Sequence, residues 1–194
     1  MSAENRFTDA LRALAAALNE IPAPSMIIGG IAVIAAGVPR QTIDIDATIL
    51  GRTSNLELVV ASLARHGIVP RIADAITFAQ ERQVLLLRHE PAGVTIEVSF
   101  AWLPFEEEAL SRAVRIDLSG VSLRVATPED LIVYKAAAWR DRDRSDIERL
   151  LTLHGDKINL HRVRGLIVEI AAALEDPQRA DAFDAMVALS RSAG

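Results

Sequence analysis

Two aspartates, Asp44 and Asp46, stand two residues apart in the apolar stretch Ile43-Asp44-Ile45-Asp46-Ala47. On a β-strand, residues at this spacing share one face and lie about 6.6 Å apart. Ile43 and Ile45 would then turn the other way, into a core. Two carboxylates so placed repel each other unless a cation lies between them. Magnesium suits the task, because it is content with one or two protein carboxylates and completes its shell with substrate phosphate oxygens. Upstream, Gly29-Gly30 ends the apolar run Met26-Ile27-Ile28 and opens the helix-like stretch Ile31–Ala36. Glycine lets backbone approach a ligand closely, and the N–H groups that open a helix can hold an anion. Either feature alone is weak, since Asp-x-Asp pairs are common in solvated loops. Together, a phosphate grip followed by a metal grip predicts phosphoryl-group chemistry on a nucleotide.

The elements that must position these residues are readable in part. Phe7, Leu11, Leu14, Ala15 and Leu18 recur at helical spacing over Glu4–Glu20, and Pro22 and Pro24 stop that helix. Ser25–Ile28 is the first strand, Gly37 ends the helix after the glycine pair, and Thr42–Leu50 is the second strand. Gly51-Arg52-Thr53 turns the chain and Ser54 caps a helix over Asn55–His66, with Leu56, Val59, Val60 and Leu63 on one face. Pro70–Gln80 has no clear pattern. Val84–Leu87 reads as a strand. Pro91-Ala92-Gly93 is a turn, and Val94–Phe100 alternates strictly: Val94, Ile96 and Val98 on one face, Thr95, Glu97 and Ser99 on the other. Leu103–Ala113 holds a short helix with Glu106-Glu107-Glu108 on a solvated face. Val114–Leu118 and Val121–Val125 flank a Ser119-Gly120 hairpin turn. Thr127-Pro128-Glu129-Asp130 starts a helix to Trp139, with Thr127 as its cap. Further helices cover Asp146–Leu153, Leu160–Leu174 and Pro177–Arg191.

Composition narrows the field. A chain of 194 residues, half of them apolar, can bury a sizeable core. It has no cysteine, which excludes disulfides and thiolate metal sites, and its four histidines show no metal-ligand spacing. The net charge of −5 argues against a nonspecific nucleic-acid binder. No membrane-spanning run and no signal-like N-terminus are read, so a cytoplasmic protein is expected. Lys135 and Lys157 are the only lysines in an arginine-using chain, which singles out Lys135.

The set Gly29-Gly30, then Pro39-Arg40-x-Thr42-x-Asp44-Ile45-Asp46, resembles the signature of the DNA-polymerase-β-like nucleotidyltransferase superfamily. Within it the chain is most similar to the AbiEii-type nucleotidyltransferases, many of which are toxins of toxin–antitoxin systems. The block Thr127–Leu131, Lys135-x-x-Ala138 and Arg140-x-Arg142-Asp143-x-x-Asp146-Ile147 carries the resemblance onward. It implies a third metal-binding carboxylate on a strand paired beside the one with the aspartates, a place that falls to Glu97. Aspartate is the more usual residue there. It also implies that Lys135 faces the nucleotide phosphates, and that Arg40 and Thr42 brace or contact them. Asp143 and Asp146 read as helix-start caps and dipole partners, or as partners of Lys135 and Arg140.

The expected fold is α/β, a small mixed sheet flanked by helices over residues 1–126, followed by a helical region over 127–194. The expected reaction is nucleotidyl transfer from a nucleoside triphosphate to an RNA (tRNA) or protein hydroxyl. One or two magnesium ions would be held by Asp44, Asp46 and Glu97, with Gly29, Gly30, Arg40, Thr42 and Lys135 serving the phosphates. Toxin status implies a cognate antitoxin as partner. A second reading keeps the fold and loses turnover, leaving a nucleotide- or partner-binding regulatory module.

Overall fold

The computed structural model describes residues 3–51 and 55–192. Arg52, Thr53 and Ser54, the expected turn and helix cap, lie outside the described residues. In chain order the elements are α1 (Ala3–Glu20), β1 (Ser25–Ile28), α2 (Gly29–Ala35), β2 (Asp44–Leu50), α3 (Leu56–Arg65), β3 (Ile68–Pro70), α4 (Ala75–Arg82), β4 (Val84–His89), β5 (Val94–Ala101), α5 (Pro104–Arg112), β6 (Val114–Leu118), β7 (Val121–Val125), α6 (Pro128–Ala138), α7 (Asp141–His154), α8 (Leu160–Ala173) and α9 (Gln178–Ser192). The chain forms two compact units. One comprises the chain up to Ile31 together with Gln41–Val125; the other comprises Ala32–Arg40 together with the chain from Ala126.

The first unit is an α/β layer structure around a seven-stranded mixed sheet ordered β3-β4-β5-β2-β1-β7-β6. Alternation in β5 places Val94, Ile96 and Val98 in the core and leaves Thr95, Glu97 and Ser99 half-buried on the opposite face. β2 lies centrally, antiparallel to β1 and parallel to β5. β2 presents Ile45, Ala47 and Ile49 to the core on one face. Thr48 on the other face is also buried, with its hydroxyl 3.4 Å from the Ser99 carbonyl. Helix α1 buries Leu11, Leu14 and Leu18 and packs against α3, β5 and β7.

Some expectations change in detail. Ile43 is 83% exposed whereas Ile45 is fully buried, because β2 begins at Asp44 and the in–out alternation starts only there. The buried face of α3 is Leu56, Val59, Ser62 and Leu63, with Val60 only half-buried. The stretch without a clear pattern holds the end of a three-residue edge strand and the short helix α4, which buries only Ala75 and Ala79. Glu106 is not on a solvated face: it is buried and accepts hydrogen bonds from the Trp102 and Leu103 backbone N–H groups, 3.0 Å each, at the start of α5.

The second unit is helical. Thr127 caps α6 as expected, accepting from the Asp130 N–H at 3.3 Å. The helices α6, α7, α8 and α9 bury Leu131, Ile132, Ile147, Leu150, Val163, Ile167 and Phe183 among themselves. The Ala36 carbonyl meets the His154 ring nitrogen at 2.7 Å, which ties the end of α2 to the end of α7.

Candidate active site

Asp44 and Asp46 sit half-buried on one face at the start of β2. The Thr42 hydroxyl lies 2.8 Å from Asp44 Oδ1 and 3.1 Å from the Asp44 carbonyl, which fixes the first carboxylate from the preceding loop. The parallel register pairs Asp46 with Glu97 and Asp44 with Thr95, so Glu97 projects from the neighbouring strand on the aspartates' face. The strand pairing implied for the third carboxylate is thus present in the backbone.

Gly29 explains the glycine pair in a way the sequence does not announce. In the antiparallel register Ile28 opposes Asp46, and the chain turns from β1 into α2 at Gly29 with φ +61°. That left-handed conformation disfavours any L side chain. A Cβ built on Gly29 would lie 1.9 Å from Asp46 Oδ2 and 2.8 Å from Asp46 Cβ. The carboxylate therefore occupies the volume a side chain would need. Helix α2 begins at Gly29 itself, so Gly30 is a buried residue of its first turn rather than part of a preceding loop.

Glu97 Oε1 is bonded to the guanidinium of Arg71 at 2.8 Å, with the two side chains 42% and 39% exposed. Arg71 follows β3 directly, in the stretch whose sequence shows no pattern, so its approach to Glu97 has no signal in the chain. Among the described residues, no three His, Asp or Glu side chains converge closely enough to form a ready-made metal cluster.

Arg40 and Lys135 belong to the second unit, where they share a buried ion network. Lys135 Nζ lies 2.8 Å from Asp143 Oδ1 and 2.9 Å from Asp146 Oδ2, with the lysine side chain 7% exposed. Arg40 Nη1 meets the same Asp146 oxygen at 2.6 Å. Asp143 Oδ2 accepts from Arg140 Nε at 2.7 Å and from the Arg140 backbone N–H at 3.2 Å, which caps α7. Burial alone would raise the Asp143 pKa, but hydrogen bonds from Arg140 and Lys135 outweigh it and hold the carboxyl below its ordinary value. Asp143 is thus both cap and ion partner, the two roles its spacing left open.

Elsewhere in the first unit, a cavity of about 370 Å³ is lined by Ile21, Ile49, Leu56, Arg65 and Phe100 among others. It lies at the far end of β2 from Asp44, and none of Gly29, Asp44, Asp46, Arg71 and Glu97 lines it.

An Asp-x-Asp strand thus pairs in parallel with a carboxylate-bearing strand, and a glycine strand-to-helix turn lies against its second aspartate. The chain belongs to the family described as "Nucleotidyltransferase of unknown function (DUF6036)", whose profile matches residues 8–191. It is a nucleotidyltransferase by that membership. Its fold is similar to that of the antibiotic-resistance factor ANT(2″)-Ia in solution, with TM-score 0.59 and 20% identity over 90% of this chain and 97% of that one. It is also similar to crystalline ANT(2″)-Ia in complex with adenylyl-2″-tobramycin, with TM-score 0.56 and 19% identity over 88% and 99%. A third similar structure is an antigenic nucleotidyltransferase-like protein from Paracoccidioides brasiliensis, with TM-score 0.51 and 16% identity over 92% and 91%. No curated protein sequence matches the chain. No helix among the described residues is long and apolar enough to cross a membrane.

Proposed function

We propose that the protein transfers a nucleoside monophosphate from a nucleoside triphosphate to a hydroxyl of an RNA, with tRNA first in line, or of a protein, in a magnesium-dependent reaction. The observation that carries this reading is the in-register pairing of Asp46 with Glu97 beside Asp44, over a backbone kept bare by Gly29. The donor set fits magnesium: hard carboxylate oxygens on one face, with Asp44 already oriented by Thr42. Asp44, Asp46 and Glu97 would hold one or two such ions. Bound there, the metal would polarise the phosphoryl group and offset the charge that develops on it. Gly29 places backbone next to Asp46, and Gly30 follows it in the first turn of α2, where the β- and γ-phosphates would lie. Thr42 holds Asp44 in one orientation, which spares a reorganisation cost when substrate arrives. The metal and phosphate part of the reading rests on the first unit alone. Arg40 and Lys135 receive the part of holding the second unit's helices together.

The AbiEii-like block Thr127–Ile147 supports an RNA or protein acceptor, action in the cytoplasm and a cognate antitoxin. The experiment is label transfer. The protein is incubated with magnesium, each α-labelled nucleoside triphosphate, and tRNA, cell extract or tobramycin as acceptor, beside Asp46→Ala. Label on RNA or protein that the variant does not give supports the proposal. Label on tobramycin alone replaces its acceptor. A folded protein that labels nothing shifts the reading to a nucleotide- or partner-binding regulatory module. The Glu97–Arg71 bond favours that second reading, because it gives the third carboxylate a cation supplied by the chain itself.

A further inference from the structure

Glu97 is flanked across the sheet by two groups of opposite demand. On one side its register partner in β2 is Asp46. On the other its register partner in β4 is Leu86, whose carbonyl accepts a hydrogen bond from the Arg71 N–H at 3.0 Å. The row Asp46–Glu97–Leu86–Arg71 therefore crosses four neighbouring strands or strand ends. Arg71 is held in that row by its own backbone, so its guanidinium is delivered to Glu97 by the sheet. Two carboxylates on neighbouring strands of one face repel each other without a cation. Here the cation is Arg71, at 2.8 Å from Glu97 Oε1.

We propose that Arg71 is a positioning residue that competes with the metal ion for Glu97, so that Glu97 is a two-position carboxylate. In the resting position it pairs with Arg71. In the other it turns toward Asp46 and completes the cation site. This rests on the metal reading given above. It also gives the glutamate at position 97 a purpose: its extra methylene supplies the reach for two partners, which an aspartate on the same Cα lacks. Each cation that binds must first displace Arg71 from Glu97, and its apparent affinity is lowered by the share of molecules in which the pair is closed.

The test is Mn²⁺ binding to the nucleotide-free protein, with free ion measured by electron paramagnetic resonance, in the wild type, Arg71→Gln, Glu97→Gln and the double variant. Circular dichroism confirms that each is folded. For a half-exposed ion pair, Arg71→Gln is expected to bind Mn²⁺ about two- to fivefold more tightly than wild type. Glu97→Gln is expected to bind more weakly, and adding Arg71→Gln to it is expected to change nothing. Equal or weaker binding by Arg71→Gln overturns the inference while leaving the metal reading in place. A double variant that binds more tightly than Glu97→Gln also overturns it, because Arg71 then acts through its charge and not through Glu97. A wild type that binds no Mn²⁺ overturns both this inference and the metal reading.

Discussion

Asp46 and Glu97 are register partners across the parallel pair β2–β5, and Gly29 lies against Asp46 from the other side. The carboxylate is thus set between a strand that brings a second acid and a turn that has no side chain. Asp44→Ala and Asp46→Ala are each expected to reduce nucleotidyl transfer on the order of 10³-fold, the scale of losing a pre-placed electrostatic group. Both residues are half-buried at a strand start, so urea unfolding should change little. A folded Asp46→Ala variant with wild-type label transfer would remove the metal assignment.

Gly29→Ala is expected to abolish transfer by a different route. The new Cβ would stand where Asp46 Oδ2 now lies, in a left-handed backbone that itself costs about 1–2 kcal/mol for a residue with a side chain. The expected signature is a lower unfolding midpoint together with lost activity. Gly120→Ala, also at positive φ but with open space around it, should show the backbone cost alone and keep activity.

The Lys135 network predicts a large stability loss from a single uncharged substitution. Lys135→Met removes the cation that Asp143 and Asp146 share within the buried network. Unbalancing a buried ion cluster in this way costs about 3–5 kcal/mol. Chemical denaturation checks it. A cost below about 1 kcal/mol would place Lys135 among surface-like ion pairs instead.

His89 sets a pH dependence. Burial lowers its pKa below the ordinary 6.5, with the Asp9 charge working only partly the other way. The unfolded chain therefore takes up a proton near pH 6.5 that the folded chain refuses until lower pH. The contribution of neutral His89 is intact above 6.5 and is lost as pH falls below it. Comparing urea midpoints at about pH 7.5 and about pH 5 should show a smaller drop for His89→Gln than for wild type.

Ile43 and Ile45 separate the loop from the strand. Ile45→Ala should cost about 2–5 kcal/mol, as for a buried aliphatic side chain cut back in a core. Ile43→Ala, at a position 83% exposed, should stay within about 0.5 kcal/mol.

Much of the first unit is legible because its strands alternate. Val94–Phe100 announces which residues face the core, and so places Glu97 on the face opposite it. The same rule fails at Ile43, where an apolar residue two before Ile45 lies outside the strand. Arg71 is invisible for two reasons. β3 is too short to show a period, and α4 buries only two alanines, so neither element leaves a hydrophobic stripe. Asp143 and Asp146 are legible as partners of Lys135 only as one of two readings, because sequence gives helix faces but not which helices meet, and the approach of Arg40 to Asp146 from 106 positions upstream has no signal. The steric role of Gly29 depends on a cross-strand neighbour 17 positions away, which only the β1–β2 register reveals.

The parallel ladder from β2 to β5 has one more consequence, for biosynthesis. Its partners, such as Thr48 and Ser99, are 51 residues apart, and no tight hairpin can join parallel strands. On the ribosome, β2 must wait for β5 to be made, roughly 3–10 s at the usual pace of about 5–20 residues per second. Until then Asp44 and Asp46 have no Glu97 beside them. A nascent chain stalled before Val94 would carry the two aspartates on a strand that still lacks its parallel partner, so the centre of the sheet is completed only after β5 has emerged.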